Sequence, residues 1–331
     1  MNDDDITWRD GDRTILFSGD ALETSPATLA DEGWNGYELF STERALAGAP
    51  PALANDASRV HEVPPGAVNE ISAALFDDVS SDSLVAFGGG RVVDTAKAIA
   101  AVKGARVAAI PTTLSGAEMT RIHKLPDGHS ADGLNRPALV IADPAAMTAQ
   151  PEHERRASAM NALAHAADSL YTPLAQPLSR LAALEAARLI ATGIEAKRSR
   201  DLALGSLLAG YSIDIALFSL HHVICQSLVR VLRIPHAETN AAILPRVAEA
   251  LVPRAPKEMA ELAGALGTGT DALAARIEEL SGGRRSLAEI GADREKLEEA
   301  LDAMAGRRKE LEMTPDTPDR SELRRIIESA W

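Results

Sequence analysis

Short apolar runs alternate with stretches of helical spacing over the first 150 residues of the chain. Arg13–Ser18, Tyr37–Ser41, Ser83–Phe87, Arg106–Ile110 and Ala138–Ala142 read as strands. Thr28–Glu32 is compatible with a helix, and Pro65–Phe76 places Val68, Ile71 and Leu75 at spacings of three and four, a helix with one buried stripe. Arg91–Val102 reads as an Ala-rich helix. Strands alternating with helices predict a parallel sheet covered on both faces. From Pro151 onward the strand signals stop. Pro151–Ala164, Leu178–Lys197, Leu202–Leu220, His221–Leu232, Asn240–Leu251, Ala255–Leu266, Asp271–Glu279, Asp293–Met304 and Arg320–Ser329 all carry helical periodicity. The pattern predicts an α/β domain over 1–150 and an all-helical domain over 151–331, with the cleft between them as the default ligand site.

Composition narrows the partners. The 331 residues hold 34 Lys and Arg against 48 Asp and Glu, a formal charge of −14. Nucleic acid and anionic membrane both demand a basic surface, so neither is expected as a partner. Only 3% of residues are aromatic, too few for base stacking as a main activity. One cysteine, Cys225, excludes an intrachain disulfide and fits a cytoplasmic setting. The acidic start MNDDDITWRDGD lacks the features of a signal peptide. No uninterrupted apolar run reaches the length needed to span a bilayer.

Two turns carry candidate chemistry. Phe87-Gly88-Gly89-Gly90-Arg91-Val92-Val93-Asp94-Thr95-Ala96-Lys97 stands where a strand hands over to a helix. Residues without Cβ let a ligand approach the backbone, and free N–H groups at a helix start suit a pyrophosphate. Ile110-Pro111-Thr112-Thr113-Leu114-Ser115-Gly116 follows the next strand and adds hydroxyls at the edge where parallel sheets bind ligands. In the helical half, Asn161 and His165 are four apart and share a helix face, and His222 and His236 follow later. Two functional readings stand: a metal shell, or a metal-free site whose histidines bind substrate and donate protons.

Together Gly88–Lys97, Pro111–Thr120, Asn161–His165 and His222–Asn240 resemble the iron-containing alcohol dehydrogenase superfamily, and within it the maleylacetate reductase branch. The closing stretch Arg320–Trp331 is similar as well. The resemblance implies a dinucleotide-binding domain joined to an all-helical domain, and hydride transfer from NADH or NADPH to a small oxo-acid. It implies that Gly88, Gly89, Gly90, Arg91, Asp94, Thr112, Thr113 and Ser115 hold the cofactor. His165, His222, His236 and Asn161 would be the catalytic group, with His222 and His236 favoured as proton donors. In metal-dependent members the position of Asn161 is an aspartate. A neutral amide removes one negative charge from the shell, so a weak metal site or none is expected. Should a metal be present, the same three histidines with Asn161 would hold it.

Departures qualify the picture. The branch usually carries a second histidine four residues after the position of His222, where this chain has Gln226, and a Gly-rich stretch where it has Ser227–Arg233. Arg233 could bind a substrate carboxylate, or Arg230 and Arg233 could form a solvated helix face. Glu43 and Arg44 are adjacent after the second strand, so neither NAD nor NADP is selected. Rival functions are a metal-dependent alcohol or aldehyde dehydrogenase of the same fold, and a non-catalytic subunit beside an active homologue. A homodimer is expected, or a heteromer with such a homologue.

Overall fold

The computed structural model describes residues 5–331. Met1–Asp4, part of the stretch read for a signal peptide, lie outside the described residues. The chain divides into two compact units, one ending at Gln150 and the other spanning Pro151–Trp331.

The first unit is built on a sheet of β1 (Ile6–Asp10), β2 (Arg13–Phe17), β3 (Glu38–Ser41), β4 (Arg59–Glu62), β5 (Ser83–Gly88), β6 (Arg106–Pro111) and β7 (Leu139–Ala142). Their spatial order is β1-β2-β7-β6-β5-β3-β4. All pairings are parallel except the β1–β2 hairpin. The central strands are apolar on both sides because both faces are covered. On β5, Leu84 and Ala86 enter one core while Val85 and Phe87 enter the other. On β6, Val107 and Ala109 divide from Ala108 and Ile110 in the same way. The covering helices include α1 (Ala21–Asp31), α2 (Val68–Leu75) and α3 (Gly90–Lys103).

The sequence pattern does not announce the two outer strands. β1 leaves most of its side chains exposed, and β4, Arg59-Val60-His61-Glu62, buries only His61. An edge strand needs no apolar alternation to pair.

The second unit contains α4 (Glu152–Tyr171), α5 (Pro177–Glu195), α6 (Ser199–Ala216), α7 (Leu220–Leu232), α8 (His236–Leu251), α9 (Pro256–Ala265), α10 (Leu273–Ser281), α11 (Leu297–Ala305) and α12 (Arg320–Ser329). Two boundaries matter for chemistry. α4 does not stop at Ala164 but continues through His165 and Asp168 to Tyr171, because those polar residues face inward. α8 begins at His236 itself. Between α6 and α7 the backbone turns sharply, with Leu217 at φ +58°, in the left-handed region that a branched side chain rarely occupies. Among the described residues no single helix is long and apolar enough to cross a membrane.

Candidate functional site

In the first unit, β5 and β6 end in register, with Gly88 opposite Pro111. The two polar turns are therefore neighbours, and Thr112 N donates to Gly88 O at 3.0 Å. The glycines serve close packing here, not an unusual backbone. A Cβ on Gly89 would lie 3.0 Å from Thr113 Cγ2, and one on Gly90 would lie 3.0 Å from Ser115 Oγ. No side chain caps the start of α3, so its first N–H groups remain for an anion. Thr112, Thr113 and Ser115 are half-buried beside it, and Arg91 is exposed.

Asp94 sits one turn further on and pairs with Lys97 Nζ at 2.8 Å. The fully buried Lys97 also donates to Ala117 O, Thr120 Oγ1 and Ile122 O, at 3.0, 3.2 and 3.1 Å. It thus ties α3 to the segment that follows the second turn. Glu118 lies in that segment, fully buried, with neither carboxylate oxygen hydrogen-bonded. Burial raises its pKa to about 7, against the opposing pull of its own backbone N–H and of Lys97.

In the second unit, Asn161, His165 and Asp168 stand on one face of α4, one and two turns apart. The imidazoles of His165 and His222 stack with centroids 4.8 Å apart and planes 15° apart. His222 Nδ1 meets Asp168 Oδ2 at 2.7 Å. Asp168 Oδ2 also accepts from Ser219 N at 3.1 Å, in the turn after Leu217, and Tyr171 donates its hydroxyl to Oδ1. Burial alone would raise the Asp168 pKa. The hydrogen bond and charge of His222 outweigh it and hold the carboxyl at about 2. His222 turns Nδ1 to Asp168, and its Nε2 is buried and has no partner. His165 Nδ1 is likewise buried and unpartnered. Burial, and then the charge of His222, push His165 well below the usual histidine range.

The remaining residues fall around this pair. Asn161 Oδ1 accepts from Asn240 Nδ2 at 3.3 Å. His236 stands at the head of α8, where burial and then the charge of His222 lower its pKa to about 4. Arg233 caps the end of α7 at φ +57° and lines a groove of about 580 Å³ with Arg230, Lys296, Glu299 and Asp302. Gln226, where the resemblance led us to look for a histidine, accepts from Arg307 Nη1 at 2.8 Å. Sequence reasoning missed Asp168, Ser219, His221 and Asn240. The available signal was spacing: Asp168 is one turn beyond His165, and Asn240 one turn beyond His236.

Comparison with known proteins follows the same two units. Residues 20–144 match the iron-containing alcohol dehydrogenase model, and residues 156–331 match the C-terminal model of the Fe-containing alcohol dehydrogenase family. The chain belongs to the iron-containing alcohol dehydrogenase family. Maleylacetate reductase 2 of Cupriavidus pinatubonensis is 34% identical over 279 residues, 76% of each chain. Maleylacetate reductase of Burkholderia cepacia is 32% identical over 340 residues, 96% of this chain and 95% of that one. The solved maleylacetate reductase of Agrobacterium tumefaciens superposes with a TM-score of 0.81 at 26% identity, covering 98% and 97% of the two chains.

Membership corrects one expectation. The loss of a charge at Asn161 led to a weak metal site or none, but both matching models are described as iron-containing. The donor chemistry agrees with the family. Among the described residues no three His, Cys, Asp or Glu side chains close around one point. One imidazole nitrogen each of His165 and His222 is nevertheless buried without a partner, and His222 is oriented by a carboxylate as metal-ligating histidines are. An amide oxygen is a weaker oxygen donor than a carboxylate but still a donor, so Asn161 is compatible with the metal that the family implies.

Proposed function

We propose that this protein is a nicotinamide-dependent reductase of a small oxo-acid, with maleylacetate, an unsaturated oxo-dicarboxylate, as its substrate. The His165–His222 pair carries this reading: two free imidazole nitrogens side by side, one of them held by Asp168. The similarity to named maleylacetate reductases supports the substrate class.

Gly88, Gly89, Gly90, Thr112, Thr113 and Ser115 would hold the nucleotide, with the uncapped start of α3 on its phosphates. Bound there, a nicotinamide would supply the hydride for the alkene carbon β to the ketone, the C=C π electrons passing to the ketone oxygen as an enolate. His165 and His222, with Asn161 and His236 as further donors, would hold a divalent ion whose Lewis acidity polarises the ketone oxygen. Asp168 would hold the His222 ring by Nδ1, leaving Nε2 for that ion. The α carbon of the enolate takes up its proton from solvent. The His222–Asp168 pair, an imidazole braced by a buried carboxylate, favours a catalytic role over a non-catalytic subunit.

The test offers NADH and NADPH separately to the purified protein with maleylacetate, other oxo-acids and simple alcohols and aldehydes, following nicotinamide absorbance. Saturable oxidation with maleylacetate supports the proposal. Turnover confined to alcohols and aldehydes, or cofactor binding without turnover, overturns it.

A further inference from the structure

The face of α4 that carries Asn161 is joined to α7 and α8 by a buried polar chain that the chemistry above does not use. His221, Asn240 and Cys225 are all fully buried. His221 Nε2 lies 2.7 Å from Asn240 Oδ1. Asn240 Nδ2 donates to His236 O at 2.9 Å and to Asn161 Oδ1 at 3.3 Å. Cys225 Sγ lies 3.4 Å from His221 Nε2 and 3.8 Å from Thr239 O.

The direction of every bond in this chain follows from one group. The backbone carbonyl of His236 can only accept, so the Asn240 atom facing it must be the amide nitrogen. The other Asn240 atom is then the carbonyl oxygen, and it needs a donor, which makes His221 Nε2 the protonated nitrogen. On the opposite side the same amide nitrogen faces Asn161, so the Asn161 atom it meets must be the oxygen. The orientation of the Asn161 amide is thereby set from the N-terminal end of α8. The cost is visible as well: His221 Nδ1 is left bare, buried and without a partner. A buried acceptor without a donor is destabilising.

We propose that Asn240 is a positioning residue: it fixes which way the Asn161 amide points and ties that amide to the turn bearing His236. A leucine of similar size in its place would remove the contacts that Asn240 makes with Asn161 Oδ1 and His221 Nε2. An aspartate would set a carboxylate oxygen against the His236 carbonyl and Asn161 Oδ1. The inference rests on the reading of Asn161, His165 and His222 as the working site, but part of its test does not depend on turnover.

The first measurement is nitrogen-15 NMR of histidine-labelled wild-type protein, which distinguishes the two neutral tautomers. His221 is expected with its proton on Nε2 and His222 with its proton on Nδ1. A His221 proton on Nδ1 would reverse the chain and overturn the inference, whether or not the enzyme reduces an oxo-acid. The second is a mutant cycle of Asn240→Leu, Asn240→Asp and Asn161→Ala, with melting curves to establish folding. Either Asn240 substitution should lower kcat by about 10- to 100-fold and change the KM for the nicotinamide nucleotide by less than about two-fold. Added to Asn161→Ala, the same substitution should lower kcat by less than about two-fold more, because residues acting through one another are not additive. Losses that multiply, or a nucleotide KM that rises with the fall in kcat, would mean that Asn240 only supports the fold. Should the Asn240 variants fail to fold, the tautomer measurement on the wild type still decides.

Discussion

Two buried carboxylates, one in each unit, have opposite fates. Asp168 accepts from His222, from the backbone of Ser219 and from Tyr171, and its pKa falls to about 2. Glu118 is as deeply buried but has no hydrogen bond to either oxygen, and burial lifts its pKa to about 7. The difference lies in what each region must keep in place. On α4 a fixed anion orients an imidazole, so the charge is retained and fully satisfied. Beside the strand-end turns the neighbouring polar groups are backbone and hydroxyls, and a buried carboxyl there is tolerated in its neutral form. A buried charge survives where several donors converge on it, and yields a proton's worth of neutrality where they do not.

The largest effect that would break this contrast is on stability against pH. Glu118 has a folded pKa of about 7 against an ordinary 4.5, so the folded state binds the extra proton. Its unfavourable contribution grows as pH rises from 4.5 to 7, reaching about 3 kcal/mol at 1.36 kcal/mol per pKa unit. Glu118→Gln should remove that slope in denaturant melts between pH 5 and 8. Asp168 behaves in the opposite sense: its support is complete above its ordinary pKa and is lost as pH falls towards 2. A Glu118→Gln protein with an unchanged slope would mean that Glu118 is ionised and paired.

Next in size, Asp168→Asn keeps the shape but frees the His222 proton from Nδ1. Turnover should fall by about 10- to 100-fold, the range seen when a carboxylate behind a functional histidine is lost. Nucleotide affinity, measured by fluorescence titration, should stay within about two-fold. In the first unit the pattern inverts. Gly90→Val brings a branched side chain against Ser115, which already stands 3.0 Å from where a Cβ would be. Nucleotide binding should weaken by about ten-fold (a loss near 1.4 kcal/mol), with the His222 tautomer unaltered by NMR. The smallest effect concerns Arg233, which lines a groove with Arg230 and Lys296. Arg233→Ala should change the KM for the oxo-acid by less than about three-fold. A ten-fold rise would give Arg233 the substrate carboxylate after all.

Legibility in the sequence followed the same division. Strands β5 and β6 were visible because both faces are buried, and their turns because Gly-Gly-Gly and Pro-Thr-Thr stand directly after them. The register that sets Gly88 beside Pro111 is tertiary and was not visible. β1 and β4 escaped notice because edge strands here bury little. On α4 the pair Asn161 and His165 could be placed by spacing alone, but Asp168 reads as an ordinary solvated carboxylate in an Ala-rich helix. Its partners Ser219 and His222 lie 51 and 54 residues further on, across a break whose left-handed Leu217 no local signal announces. The weak-metal expectation failed for a related reason. It weighed the charge at one position, whereas His165 and His222 each keep an imidazole nitrogen without a partner and His222 is braced by Asp168.

Transfer of a labelled hydride tests the central claim most directly. The protein would be supplied with maleylacetate and NADH or NADPH carrying deuterium at the reactive nicotinamide carbon, and the reduced acid examined by mass spectrometry and NMR. One deuterium per product molecule, on the carbon β to the ketone where solvent exchange is slow, is the predicted result. Unlabelled product, or label on a carbinol carbon with the double bond intact, would contradict it.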